Sequence, residues 1–174
     1  MSEKSERYWR FAAMITTSMM VMFALMYLHT YEVAHIRFSE TRFYMVLIMG
    51  AGMGMVMLTF MLGMYRNTKI NIGIYILSVV VFIIALWLMR TQSIVEDRSY
   101  MNAMIPHHSI AILTSERSKI EDVRVRALAD DIIRAQRREI QEMEWLIEDI
   151  RKNGIARTLH EADVRSVPKF EPNE

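Results

Sequence analysis

The chain of 174 residues contains no cysteine. That excludes disulfides, thiolate metal ligands and cysteine nucleophiles, so any soft-metal chemistry falls to methionine and histidine. Charge is missing from long stretches: Phe11 to Leu28, Phe43 to Tyr65 and Ile70 to Leu88 hold no Asp, Glu, Lys or Arg. A strong excess of either sign is absent too, since 21 basic and 20 acidic residues leave a net charge of +1. No basic patch suited to nucleic acid stands out, so no nucleic-acid partner is expected. What is present is divided unevenly. Most of the 17 methionines precede residue 90, whereas most charges follow it. A single soluble domain does not produce that split.

A hydrocarbon core about 30 Å thick needs roughly 20 helical residues, so each of the three runs is long enough to span it. We place spans at about 11–29, 43–65 and 70–89, which makes 1–90 a membrane domain. Lys4, Arg7 and Arg10 before the first run suit a signal peptide as well as an anchor. The length of that run and the lack of a small-x-small cleavage site favour a retained anchor. Lys4, Arg7, Arg10, Arg66 and Lys69 fall on one side of the bilayer. Arg37, Arg42, Arg90 and Arg98 fall on the other. The bias puts the N-terminus in the cytoplasm and the C-terminal half outside. In a bacterium this is a multi-pass inner-membrane protein with a periplasmic domain.

The charged half reads as two amphipathic helices, one from about Ser93 to Ser118 and one ending near Asn153–Gly154. In the second, Leu128, Ile132, Ile133, Ile140, Met143 and Ile147 recur at three- and four-residue steps. Two helices bury too little surface to be secure alone, so a domain over 91–153 is expected to become a four-helix bundle by dimerisation or to rest on the membrane portion. Residues 154–174, with Pro168 and Pro172, read as a flexible tail. The expected fold class is therefore all-α: three transmembrane helices, then a helical hairpin.

The segment from Asp97 to His108 concentrates chemistry. At 100° per residue, Asp97, Tyr100, Met101, Met104, His107, His108 and Ala111 share one side of a helix. Pro106 lacks an amide donor and is expected to bend the helix. Thioethers select Cu(I), and imidazole accepts Cu, Zn, Fe or Ni. The same spacing also suits a bundle helix whose methionines simply pack, and adjacent histidines point about 100° apart.

Met104-Ile-Pro-His-His-Ser-Ile-Ala-Ile112 resembles the signature of the DUF305 family. Ile133-Arg-Ala-Gln-Arg-Arg-Glu-Ile-Gln-Glu-Met143-Glu-Trp-Leu146 is similar to its second helix, with Gln136, Glu139, Ile140 and Met143 at family positions. Asp97 and Met101 match the approach to the His pair, and the three-span region resembles membrane-bound members. The resemblance implies a ferritin-like helical fold and, for some members, copper or silver handling. It supports a metal site at His107 and His108; donor chemistry and helix spacing add Met104, with Met101, Asp97 and Met143, as assisting groups and Gln136 or Glu139 as a group orienting an imidazole. One departure is Leu113-Thr114, where many members carry Met. A ferritin-like oxidase needs several Glu and two Glu-x-x-His units. Glu32-Val-Ala-His35 is the only such unit here, so no catalytic residues are assigned.

The spans carry a second pattern. Gly50, Met53, Gly54, Met57, Met61 and Met64 share an arc of about 100°, and Gly50–Gly54 is a G-x-x-x-G pair that permits close helix approach. Met19, Met22, Met26 and His29 share another arc. These are packing faces filled by flexible methionine, or a thioether-lined Cu(I) surface comprising Met26, His29, His35, Met53, Met57 and Met61. The leading expectation is a membrane-anchored, self-associating protein that binds or buffers Cu(I) or a similar soft ion. The alternatives are a non-catalytic assembly module and a metal-dependent oxidase.

Overall fold

The computed structural model describes residues 3–171, and from residue 6 onward their side chains. Pro172 lies outside the described residues, as does the side chain of Lys4. The described chain is all helical. The helices are α1 (Glu3–Leu25), α2 (Glu40–Phe60), α3 (Thr68–Thr91), α4 (Asp97–Arg117), α5 (Val123–Asn153) and α6 (Leu159–Val164), with a 3-10 turn at Val33–His35. They form two compact units. One comprises α1 through Leu28 together with Glu40–Ile94, and the other comprises His29–Ser39 together with the chain from Val95 onward.

In the first unit, three helices are long and apolar enough to cross a membrane: Glu6–Leu25, Glu40–Phe60 and Thr68–Thr91. Much of their apolar surface is uncovered; Ile72, Ile76, Val80, Ile83, Ile84 and Trp87 of α3 are all exposed. A water-facing helix does not carry such a surface, whereas hydrocarbon solvates it. The two glycines of the G-x-x-x-G pair work within the chain. A Cβ on Gly50 would lie 2.8 Å from Met19 Cγ of α1, and one on Gly54 would lie 3.5 Å from Ser78 Oγ of α3. Glycine at position 50 lets α1 and α2 approach, whereas a Cβ at position 54 would make only an ordinary contact with α3.

The turn between α2 and α3 is tied down by polar groups. Asn67 caps α3, its Oδ1 accepting the amides of Lys69 at 3.1 Å and Ile70 at 3.3 Å. Such capping satisfies amides that lack a partner inside the helix. The Tyr8 hydroxyl of α1 donates to Asn71 Oδ1 at 2.8 Å and accepts the Asn67 amide at 3.1 Å. Asn71 Nδ2 in turn donates to the Tyr65 carbonyl at 2.7 Å. Phe11, Leu58 and Tyr65 form the buried core at this end, with Met57 and Met61 packed against it.

The second unit is built on the α4–α5 hairpin. Its core consists of Met101, Ile105, Ile112, Ile140, Met143 and Ile147, flanked by Tyr31, Met104, Ile133, Leu146 and Ile150. Four positions of the expected stripe, Ile133, Ile140, Met143 and Ile147, are buried or packed as read, but Leu128 is exposed, and Ala129 takes the buried place beside it. The first helix starts at Asp97 rather than Ser93, because Gln92 adopts a left-handed conformation (φ 51°) that ends α3. Pro106 is buried inside α4, which continues through it. Asp122 caps α5 by accepting the Arg124 amide at 2.8 Å. At the other end Gly154 takes φ +77°, where a side chain would be strained.

Two segments extend the expected 91–153 domain. The loop His29–Ser39 packs on it, and so does the segment expected to be flexible. Rather than trailing free, the described part of 154–174 contains α6, capped by Thr158 Oγ1 accepting the Glu161 amide at 3.2 Å. Arg165 Nη1 pairs with Asp149 Oδ2 at 3.0 Å and donates to the Gly154 carbonyl at 3.1 Å. Ile155, Ala156, Ala162 and Val167 line a cavity against the hairpin. These four side chains stay exposed, so the segment is tied down by the Arg165 contacts and the α6 cap, which the two prolines alone did not reveal.

Candidate metal centre

The hairpin has two flanks, and the histidines of interest divide between them. On the first flank, His108 of α4 places Nδ1 3.1 Å from Glu139 Oε2 of α5, with its side chain 14% exposed. The approach is close enough for an ion pair, but Nδ1 makes no aligned hydrogen bond. Burial pushes the His108 pKa below its ordinary value. Glu139 opposes that shift and His107 adds to it. The neutral imidazole, the form that binds metal, is thereby favoured. His107 is exposed, its ring centroid 5.9 Å from that of His108 and its plane inclined by 60°.

The candidate thioethers differ in burial. Met101 and Met143 are buried among the core isoleucines, whereas Met104 is half-buried at the edge of that cluster. Asp97, exposed in the first turn of α4, lines a cavity of about 420 Å³ with Met101 and Met143. Gln136 is half-buried and hydrogen-bonds to neither imidazole among the described residues. Glu139, by contrast, stands where an orienting carboxylate belongs. A ligand imidazole commonly gives its second ring nitrogen to such a group, leaving the first for metal. Among the described residues no three His, Asp or Glu side chains gather around a common point. The candidate donors on this flank are imidazole and thioether, types that coordinate soft ions.

The second flank contains groups that the sequence reading did not assemble. The Tyr31 amide donates to Ser109 Oγ at 2.7 Å, and His35 Nδ1 lies 3.0 Å from the same oxygen. Ser109 is fully buried and His35 nearly so. Arg37 Nη2 pairs with Glu144 Oε1 at 2.8 Å, and Nη1 reaches Asn102 Oδ1 at 3.5 Å. A hydrogen bond with Glu116 raises the pKa of the Tyr31 hydroxyl. Arg37 Nε and Gln141 Oε1 are buried here without a hydrogen bond. A signal existed in the sequence: Ser109 is a small polar residue between the apolar positions Ile105 and Ile112. A buried hydroxyl there calls for a partner.

The residues considered for a second metal surface have separate surroundings, each within its own unit. Met57 and Met61 pack against the Phe11–Leu58–Tyr65 core, and Met53 lines an open groove with Met14 and Met22. Met26 is half-buried, and its carbonyl accepts Arg42 Nη1 at 2.9 Å. His29 is exposed, and His35 is held by Ser109.

Three helices apolar enough to cross a membrane and an all-helical domain bearing a His–His pair define a class of helical proteins. The particular family follows from comparison. A family model described as a domain of unknown function (DUF305) matches residues 88–166. The chain is 33% identical over 144 residues to the uncharacterized protein L153 of Acanthamoeba polyphaga mimivirus, covering 79% of this chain and 93% of that protein. The aligned length exceeds the matched domain, so the likeness reaches beyond it. The chain belongs to the DUF305 family. No solved structure matches it.

Proposed function

We propose that this is a membrane-anchored metal-binding protein that binds or buffers Cu(I), or a similarly soft ion, on one flank of its helical domain. The observation that carries the reading is the placement of His108, half-enclosed beside Glu139 and adjacent to exposed His107. The imidazole is biased toward its neutral form and has a carboxylate in orienting position, while Met104 offers a thioether at the edge of the core. His107, His108 and Met104 are the ligands in this proposal, and Glu139 is the orienting group. Asp97, Met101 and Met143 line a cavity whose walls include neither histidine nor Met104, so they are not ligands in this proposal. A bound Cu(I) ion would remain in its reduced, two- or three-coordinate form without a substrate being transformed. The basic bias of the span ends favours a domain outside the cytoplasm, in the periplasm if the host is a bacterium. The deciding experiment is Cu(I) titration against a competing chelator, using intact protein in neutral detergent under reducing conditions. Stoichiometric binding supports the proposal, and metal-free protein that fails to compete at all sinks it.

A second reading is an assembly module with no metal. It is favoured by the burial of Met101 and Met143, which serve the core as any apolar side chain would. In that reading the His–Met segment serves helix association, and copies of the chain self-associate. A stable oligomer whose dissociation follows substitution of exposed Val125 and Leu128 by Asp, with no Cu(I) bound, would favour it.

A further inference from the structure

The basic residues at the other extreme of the chain's chemistry line a cavity that the metal reading leaves unused. It measures about 570 Å³ and is bounded by Arg7 and Tyr8 of α1, by Arg66 and Asn67 of the α2–α3 turn, and by Thr68 and Lys69 at the start of α3, with Gly63 and Met64 completing the wall. Three of its lining residues are cationic and none is acidic. Arg7 stands just before the first apolar run, and Arg66 and Lys69 stand between the second and third. If the three helices span a bilayer, connectivity puts all three cations at the same surface, at the depth of lipid headgroups.

The cavity is also held open by its own framework. Tyr8 Oη bridges Asn67 and Asn71, and Asn71 holds the Tyr65 carbonyl. The Tyr8 and Tyr65 rings pack with centroids 5.1 Å apart. The α3 amides of Lys69 and Ile70 are already taken by Asn67 Oδ1, so they are not the recognition element. Recognition falls to the guanidinium groups and the ammonium, which suit phosphate oxygens. The volume exceeds what a bare phosphate ion fills and leaves room for a phosphodiester with its glycerol.

The geometry points to a binding site for the headgroup of an anionic phospholipid in the cavity between Arg7, Arg66 and Lys69. The ligand class is a phosphodiester whose acyl chains lie along the apolar helices. Basic pockets at the ends of spanning helices take such headgroups through charge and hydrogen bonding together. This goes beyond the metal proposal and depends only on the three helices being embedded in a bilayer.

The test uses the full chain in neutral detergent, titrated with phosphatidylglycerol or phosphatidylcholine and followed by thermal melting and retained lipid phosphorus. Saturable stabilisation by phosphatidylglycerol alone is expected. A combined Arg7→Gln, Arg66→Gln, Lys69→Gln variant should weaken it by about fivefold per cation, on the order of a hundredfold in all. A matched variant that removes three exposed cations elsewhere, Arg117→Gln, Lys119→Gln and Arg157→Gln, should leave it unchanged. Arg7→Lys with Arg66→Lys preserves charge and should retain most binding, which separates lost recognition from lost folding. Equal loss in the matched variant would reduce the effect to general electrostatics and overturn the site. Inorganic phosphate stabilising the protein as well as the lipid does would instead assign a free-anion site and overturn the lipid. Failure of the wild-type chain to enter phosphatidylcholine vesicles would overturn the membrane premise itself, with the metal titration unaffected.

Discussion

His35 and His108 lie on opposite flanks of one hairpin and are handled differently. His35 is almost completely covered, and Ser109 Oγ, which also receives the Tyr31 amide, holds its Nδ1. His108 has a carboxylate at ion-pair distance without an aligned hydrogen bond, an exposed second imidazole beside it and a thioether nearby. The first arrangement spends its polar groups on seating a loop. The second keeps a nitrogen donor lightly committed while burial maintains it in the neutral form. The contrast separates a histidine that organises the fold from one that remains available to a ligand, although the two occur in the same small domain. Proximity to a family motif does not make the distinction, since Ser109 belongs to that motif and serves the loop.

The contrast breaks most visibly if the available flank is not the metal site. His107→Ala combined with His108→Ala should lower Cu(I) affinity on the order of a hundredfold or more, given that loss of an orienting group alone costs ten- to a hundredfold. Helicity by circular dichroism should hardly change, because His107 is exposed and neither residue belongs to the core cluster. Undiminished Cu(I) affinity in this variant would transfer attention to the membrane methionines. On the other flank, Ser109→Ala should cost about 1–3 kcal/mol, the range for stranding buried polar partners. Here the Tyr31 amide and His35 lose their shared oxygen. Melting should fall while Cu(I) affinity holds. A variant that melts like wild type would mean that the loop draws little from this contact.

Met104 sharpens the metal assignment at smaller amplitude. Met104→Leu conserves volume, so its packing cost should stay below about 1.5 kcal/mol. Loss of the thioether should weaken Cu(I) by roughly tenfold and Zn(II) by less than about twofold, since zinc gains little from that donor. Parallel competition titrations with both ions check this, and equal losses would place Met104 in the packing alone.

Much of the architecture was legible because it follows from periodicity. Uncharged runs located three helices, Gly154 ended α5, and steps of three and four located Ile140, Met143 and Ile147 in the core. The motif residues His108 and Glu139 were found, and their adjacency could be expected from matching helix positions. What remained illegible depends on partners distant in sequence. The loop 29–39 has no periodicity to announce that Tyr31 and His35 meet Ser109, some 75 residues away. Likewise, nothing local to Arg165 identifies Asp149 as its partner, so a segment with two prolines read as flexible. Methionine was ambiguous for a chemical reason: the same thioether packs and ligates, and only burial divides Met101 from Met104.

The smallest effect concerns protons and tests burial against charge on the open flank. Because burial lowers the His108 pKa from about 6.5, the unfolded chain takes up its proton first as the solution is acidified. Between the unfolded value and the lower folded one, the unfolded state holds more protons, and metal-free stability must decline with falling pH. Below the folded value both states are protonated and the contribution levels off. His108→Gln should remove that decline, so the difference in melting temperature between wild type and variant should shrink as pH drops through the mid-6 range. Carboxylates such as Glu148, held at about 2 mainly by Arg151 and then Lys152, do not titrate in this window and leave the comparison clean. Copper should follow the same order: protons compete for His108 only once the pH has passed below the free-imidazole value. The opposite slope, with wild type gaining relative to His108→Gln on acidification, would show that Glu139 outweighs burial. The imidazole would then be held as a cation, a poor ligand, and the case for this flank would fail on electrostatics alone.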